Sequence, residues 1–190
     1  MTTKKFKLIC ENISSISPFI RFVGVIGERG ELLAHSRRQE LTPLLDDKNT
    51  RKSTTGLKYN KNRVRYMTTK KFKLICDNIS TISPFIRFVG VIGERGELLA
   101  HSRRHELTPL LDDKNTKYQF SHIAMNSDLE AFFDKNLGEV EFVWEERKKV
   151  QTISFAIKKA IVWVSIDKKV IRSEMLRIID SCLPIVKKHS

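Results

Sequence analysis

The chain has 190 residues, 41% of them hydrophobic and 30% charged, with a formal net charge of +13. At roughly 100–200 residues per domain, that length holds one domain or two small ones. No stretch approaches the ~18 apolar residues of a membrane helix, and no run after Met1 has signal-peptide length, so a cytoplasmic protein without a membrane span is expected.

The chain opens with an amphipathic helix. Phe6, Ile9, Cys10, Ile13 and Ile16 recur at helical spacing, and Pro18 ends the pattern. Phe19 to Ile26 is a run rich in β-branched and aromatic residues, Gly27 to Gly30 reads as a hairpin turn, and Glu31 to Ser36 as the returning strand. Residues 51–66 are different in kind. Arg51, Lys52, Lys58, Lys61, Arg63 and Arg65 stand there with no acid among them, a basic linker that suits non-specific contact with an anionic polymer.

At residue 67 the sequence starts over. Residues 67–116 repeat residues 1–50 at 47 of 50 positions, the exceptions being Glu11/Asp77, Ser15/Thr81 and Gln39/His105. Two copies are too few for a stacked solenoid, which needs about three or more. The domain organisation expected is a truncated duplicate (1–50), the basic linker (51–66) and a complete domain (67–190). The second copy predicts a helix along Phe72 to Ile82, a strand over Phe85 to Ile92, a turn at Gly93 to Gly96 and a strand over Glu97 to Ser102.

Only the second copy is followed by more elements. Phe120, Ile123, Leu129, Phe132 and Phe133 form an imperfect helical stripe within Lys117 to Asn136, with Gly138 as its stop. Val140, Phe142 and Trp144 alternate as one strand, Ile153, Phe155 and Ile157 as the next, and Ala160 to Ile166 is a continuous apolar run suited to a central strand. Asp167 is placed to cap a last helix through Ile171, Met175, Ile178, Ile179 and Cys182, with Pro184 in or after its final turn. The order α-β-β-α-β-β-β-α predicts an α+β fold, a mainly antiparallel five-stranded sheet with helices, preceded by the duplicated helix-hairpin fragment. Lengthening the connection to the middle helix from about 14 to about 80 residues costs on the order of 1.5 kcal/mol, so the second copy should hold its place in the sheet over the first. The first copy is then loosely docked or free to add a strand to another chain.

Residues that carry chemistry are sparse. Gly24, Gly27 and Gly30 superficially suggest a phosphate loop, but a strand rather than a helix follows them. His101 and His105 straddle a strand end, and Asp112-Asp113 and Glu145-Glu146 are adjacent pairs whose side chains diverge on regular structure. Cys10, Cys76 and Cys182 fall on apolar helical stripes, where a small buried hydrophobe is the expected role. An enzyme is therefore not expected, and no metal or cofactor is called for. Trp144 and Trp163 suit core or interface anchors, and Arg37-Arg38 and Arg103-Arg104, beside Arg147, Lys148 and Lys149, suit a basic interaction face.

The order of elements in residues 67–190 resembles the roadblock family of dynein light chains, and profilin-like and PAS-type domains use comparable parts. The segments Arg87 to Ile92, Gly96 to Ala100 and Pro109 to Asp113 look like a group of small uncharacterised archaeal (thaumarchaeal) proteins. The roadblock resemblance implies a non-catalytic dimer, its sheets joined edge to edge, serving as a platform for a small GTPase or signalling partner. Three functions from different classes are weighed. First is a protein-interaction module, self-associating through sheet edges or a helix face. Second is a small-molecule sensor of PAS or profilin-like build, which requires an apolar pocket of roughly 300 Å³ or more between sheet and helix. Dense packing around Phe142, Phe155 and Trp163 would exclude it. Third is nucleic-acid binding through the linker, which has only its charge in support.

Overall fold

The computed structural model describes residues 3–37 and 69–189. The chain divides into two units, Met1–Thr55 and Gly56–Ser190. The six linker cations and Arg38 lie outside the described residues.

In the first unit, helix α1 (Thr3–Ser15) lies on an antiparallel hairpin of β1 (Phe22–Ile26) and β2 (Leu32–Arg37). Cys10 and Ala34 are its only buried apolar residues among those described, and the Cys10 thiol points to the Ala34 carbonyl at 3.7 Å.

The second unit begins with the same three elements, α2 (Thr69–Ser80), β3 (Ile86–Gly93) and β4 (Leu98–Arg103), in the same register. Then come α3 (Asp113–Glu130), a 3₁₀ turn (Ala131–Phe133), a short α4 (Asp134–Leu137), β5 (Val143–Glu146), β6 (Val150–Ile157), β7 (Ala160–Asp167) and α5 (Arg172–Lys187). The sheet is antiparallel throughout, in the order β4-β3-β7-β6-β5. The α+β class and the five-stranded antiparallel sheet expected from the sequence are both present.

Helices cover both faces of this sheet. On one, α2 and α5 pack their apolar stripes (Ile75, Cys76, Ile79; Met175, Ile178, Ile179, Cys182) against Val89, Val91, Ile153, Phe155, Val162 and Val164. On the other, α3 brings Phe120 to Phe88, Ile92 and Trp163. Strands β3 and β7 are consequently buried on both faces, which is why Ala160 to Ile166 shows no apolar-polar alternation; Ser165 is its one polar residue.

Two glycines allow this packing. A Cβ on Gly90 would stand 2.7 Å from the Phe88 ring, which leans across it. Gly96, at φ +79°, closes the β3–β4 turn, and a Cβ there would also meet the Ser121 backbone of α3 at 2.7 Å. The α3 helix thus docks on the hairpin tip where only glycine leaves room.

Three element boundaries differ from expectation. The middle helix, expected within Lys117 to Asn136, starts at Asp113 because Asp112 caps it by accepting from the Asn115 backbone N–H at 2.7 Å. The strand expected from Val140 begins only at Val143, after Gly138 (φ 85°) has ended α4. Asp167 does not cap α5, whose N-cap is Ile171; it closes the preceding turn, its carboxylate accepting from the Lys169 N–H at 3.1 Å.

Burial pushes the thiol of Cys76 up to about 11 and that of Cys182 up to about 12. The stability these neutral thiols contribute is complete below the ordinary thiol value of 9.0 and is lost as pH rises through about 11 and 12. At pH 8, Ellman's reagent should label Cys10 at least about tenfold faster than Cys76 or Cys182, because local opening of the small first unit exposes it. Equal rates for all three would mean that the units open together. Lys158, in the two-residue β6–β7 turn, is held at φ 46°, so Lys158→Gly should raise the unfolding free energy in chemical denaturation by about 0.5–1 kcal/mol.

Candidate binding cavity

The α3 face of the sheet is only partly covered. Beyond Phe120 a cavity of about 450 Å³ remains between the sheet, the start of α3 and the segment of residues 104–112. Its floor follows from strand register. Glu145 pairs with Thr152, Thr152 with Ser165, Ser165 with Phe88 and Phe88 with Arg103, one row across all five strands. Because side chains alternate along a strand, these five share the α3 face, and Thr152, Ser165, Phe88 and Arg103 line the cavity.

The aromatic end of the floor is a cluster. The Phe88 ring lies 5.8 Å from Trp163 and 6.2 Å from Phe120, and Phe120 meets Trp163 edge-on at 5.9 Å. Leu107, Leu110 and Leu111 form an apolar wall. That wall is tied to the sheet: the Arg87 guanidinium donates to the Thr108 carbonyl at 3.1 Å, and the Arg104 N–H donates to the Arg87 carbonyl at 3.2 Å. Thr152 and Ser165 are buried hydroxyl residues in the middle of the row. Thr152 Oγ1 donates to Glu145 Oε2 at 3.2 Å.

Five cations line the cavity: Arg87, Arg103, Arg147, Lys148 and Lys149. Two are already engaged by carboxylates. Arg87 lies 3.9 Å from Asp167, and Arg147 holds Glu145 at 3.0 Å. Arg103 sits over the Phe88 ring, 5.2 Å from its centroid. Among the described residues, Arg103, Lys148 and Lys149 have no carboxylate partner. The lining offers hydroxyls, cations and aromatic faces, a set suited to binding an anion rather than to moving a proton. Outside the cavity, hydrogen bonds from Lys168 and Arg172 hold the Glu146 carboxyl below the usual range.

The residues singled out in the sequence are divided by the fold. Arg103, Arg147, Lys148 and Lys149 meet around one cavity, while Arg104 is exposed beside it and contributes its backbone. Trp144 is on the opposite face, half-buried against the α2/α5 core, with its buried indole N–H lacking a partner among the described residues. The second tryptophan, Trp163, is the one in the cavity. Phe142 and Phe155 pack together at 6.3 Å on the other face, so the dense core and the cavity lie on opposite sides of the sheet. Sequence reasoning missed Thr152 and Ser165; Ser165 has a signal, the one polar residue within the Ala160 to Ile166 run, whereas Thr152 stands among other polar residues of β6. Among the described residues, no group of three or more His, Cys, Asp or Glu could hold a metal ion, and no helix is long and apolar enough to cross a membrane.

No family model matches the sequence, and no curated protein does. Solved structures share a general likeness. A Roadblock/LC7 domain from Streptomyces avermitilis superposes with a TM-score of 0.47 at 10% identity, covering 61% of this chain and 92% of its own. MglB of Myxococcus xanthus gives 0.48 at 16% identity (62% and 93%), and profilin of Schizosaccharomyces pombe 0.43 at 12% (62% and 97%). The fold described above rests on its own strand order and register, not on these likenesses.

The cationic rim should be measurable through Trp163. In Trp144→Phe, which leaves Trp163 as the one indole of the chain, iodide should quench fluorescence at least about twofold more strongly than caesium, each normalised to free tryptophan, because the rim concentrates anions. Equal quenching by the two ions would show that the rim exerts no field at the cavity.

Proposed function

We propose that the protein is a non-catalytic interaction module in which residues 67–190 form the working domain, residues 51–66 a basic tether and residues 1–50 a truncated duplicate. The domain pairs with a second copy of itself through α3. The observation that carries this is the outer face of that helix. Tyr118, His122, Met125, Leu129 and Phe132 follow one another at spacings of 4, 3, 4 and 3 residues, and all five are exposed. That is the spacing of a coiled-coil seam, continued at Phe132 by the 3₁₀ turn. The inner face of α3 carries Phe120, Ile123 and Ala124, so the helix is apolar on two sides although only one of them is covered within the domain. A helix apolar on opposite faces is one that a second layer covers.

Edge-to-edge pairing of sheets, the other mode implied by the roadblock resemblance, has less in its favour. The outer strand β5 has four residues, two of them Glu145 and Glu146, and β4 exposes His101 and Arg103. Short, charged edges resist strand addition. A dimer joined at α3 leaves the α2/α5 layers outward as a platform, and the partner class belonging to this proposal is a small GTPase or other signalling protein.

Light scattering after size exclusion should find the full chain as a concentration-dependent dimer. Met125→Glu with Leu129→Glu should weaken it by about a hundredfold or more, because charge enters an apolar seam, and leave the melting temperature of the dissociated chain unchanged, because both positions are exposed. A monomer at all concentrations, or a dimer indifferent to both changes, would overturn the α3 assignment.

A further inference from the structure

We propose that the cavity on the α3 face binds a small organic anion, its flat apolar body on Trp163 and Phe88 and its carboxylate or phosphate held by the cationic lining to which Arg103 contributes from one edge of the sheet and Lys148 and Lys149 from the other. Dimerisation through the outer face of α3 is not needed for this, since the cavity lies on the inner side of that helix.

Three independent features converge. The first is polarity in the wrong place for a core. In the interior of the sheet, on the α3 face, the row carries Thr152 and Ser165, each more than nine-tenths buried. The Ser165 hydroxyl has no hydrogen-bond partner among the described residues and lines the cavity. A hydroxyl that opens into a cavity instead of bonding within the sheet is free to bond a ligand there, while its neighbour Thr152 is already bonded to Glu145.

The second feature is charge. The cavity is lined by five cations and no carboxylate, and after Asp167 and Glu145 have engaged Arg87 and Arg147, three remain. They come from the end of β4 and from the β5–β6 turn, at opposite edges of the sheet, and line the cavity from its two sides. Like charges gathered around a low-dielectric cleft repel one another until an anion enters.

The third is shape. The volume falls within the range of small-molecule sites, and most of the surface facing the cavity is apolar, with the cations among its lining. Aromatic rings from β3, β7 and α3 present faces and edges on which a planar body stacks. A simple inorganic ion would leave those walls against water, whereas a neutral hydrocarbon would leave the cations and the Ser165 hydroxyl unmatched. An anion with an apolar body satisfies both.

The test uses the full-length chain and two fluorescent probes of nearly the same body, anionic 1-anilinonaphthalene-8-sulfonate and neutral N-phenyl-1-naphthylamine. One equivalent of the anionic probe should bind, at least about tenfold tighter than the neutral one, with an affinity that falls as salt is raised. Arg103→Gln with Lys148→Gln and Lys149→Gln should abolish the preference. Ser165→Leu, which puts a branched side chain on the cavity floor beside Trp163 and Phe88, should weaken binding of both probes at least about tenfold. Met125→Glu with Leu129→Glu, on the outer face of α3, should leave the anionic probe bound, which separates this site from the dimer seam. Competition by 2-naphthoate and 2-naphthyl phosphate then ranks carboxylate against phosphate as the head group. Equal affinity for the two probes, or a preference that survives loss of all three cations, would overturn the proposal. Should Ser165→Leu fail to fold, the charge-removal variant decides alone.

Discussion

The pairing of β3 with β7 governs the rest of this structure. From Ile86↔Ile166 to Gly93↔Ala160, the two strands lie side by side in the middle of the sheet, and every other layer is placed by reference to them. The duplication supplies the control for this statement, because an almost identical helix and hairpin stand earlier in the chain without a β7. There Phe22 is 46% exposed, while Phe88 at the equivalent position is 9% exposed. Ile9, Ile13 and Ile26 are likewise exposed where Ile75, Ile79 and Ile92 are fully buried. The hairpin register is the same in both copies, and β3 extends beyond the span of β1 to Ile86 and Gly93, which pair with β7; local sequence therefore forms the hairpin, and burial comes from the strands and helices that follow it. Hydrophobic stabilisation scales with apolar area removed from water, which the first copy lacks.

Saturating one face of the sheet leaves an asymmetry on the other. Two helices, α2 and α5, cover the Val89, Phe155 and Val164 side continuously. The single helix on the opposite side is fixed at the hairpin tip by the contact between Gly96 and Ser121, and it reaches only the Phe88–Ile92–Trp163 end of that face. The row through Thr152 and Ser165 is left to the cavity. One constraint, the docking point of α3, therefore sets both where the packed core stops and where a ligand could enter.

The same helix links the two functional proposals. Its inner face closes the cavity with Phe120 and its outer face carries the seam from Tyr118 to Phe132. An anion bound beneath α3 and a second subunit bound above it would press on the same helix from opposite sides. By linkage, any effect of one on the affinity of the other must be reciprocal.

Much of this architecture was legible in the sequence. Helical periodicity located the stripes of α2 and α5, the Gly93 to Gly96 turn located the hairpin, and the mostly apolar Ala160 to Ile166 run identified a central strand. These features are local, written within windows of ten residues or so. Boundaries set by capping were less legible. Asp112 could be a turn residue or a cap, and only its bond to the Asn115 N–H separates the two. The candidate site was half legible: the cations Arg103, Arg147, Lys148 and Lys149 stand out in the sequence, but nothing local says that they share a cavity, that Trp163 rather than Trp144 faces it, or that Thr152 and Ser165 lie between them. Face assignment depends on strand parity and register across five strands, and a one-residue slip would exchange the two tryptophans' sides. The sequence by itself determined the elements and their duplication. The tertiary structure alone decided which copy is buried, which face is filled and which charges meet, because those depend on contacts between residues far apart in the chain.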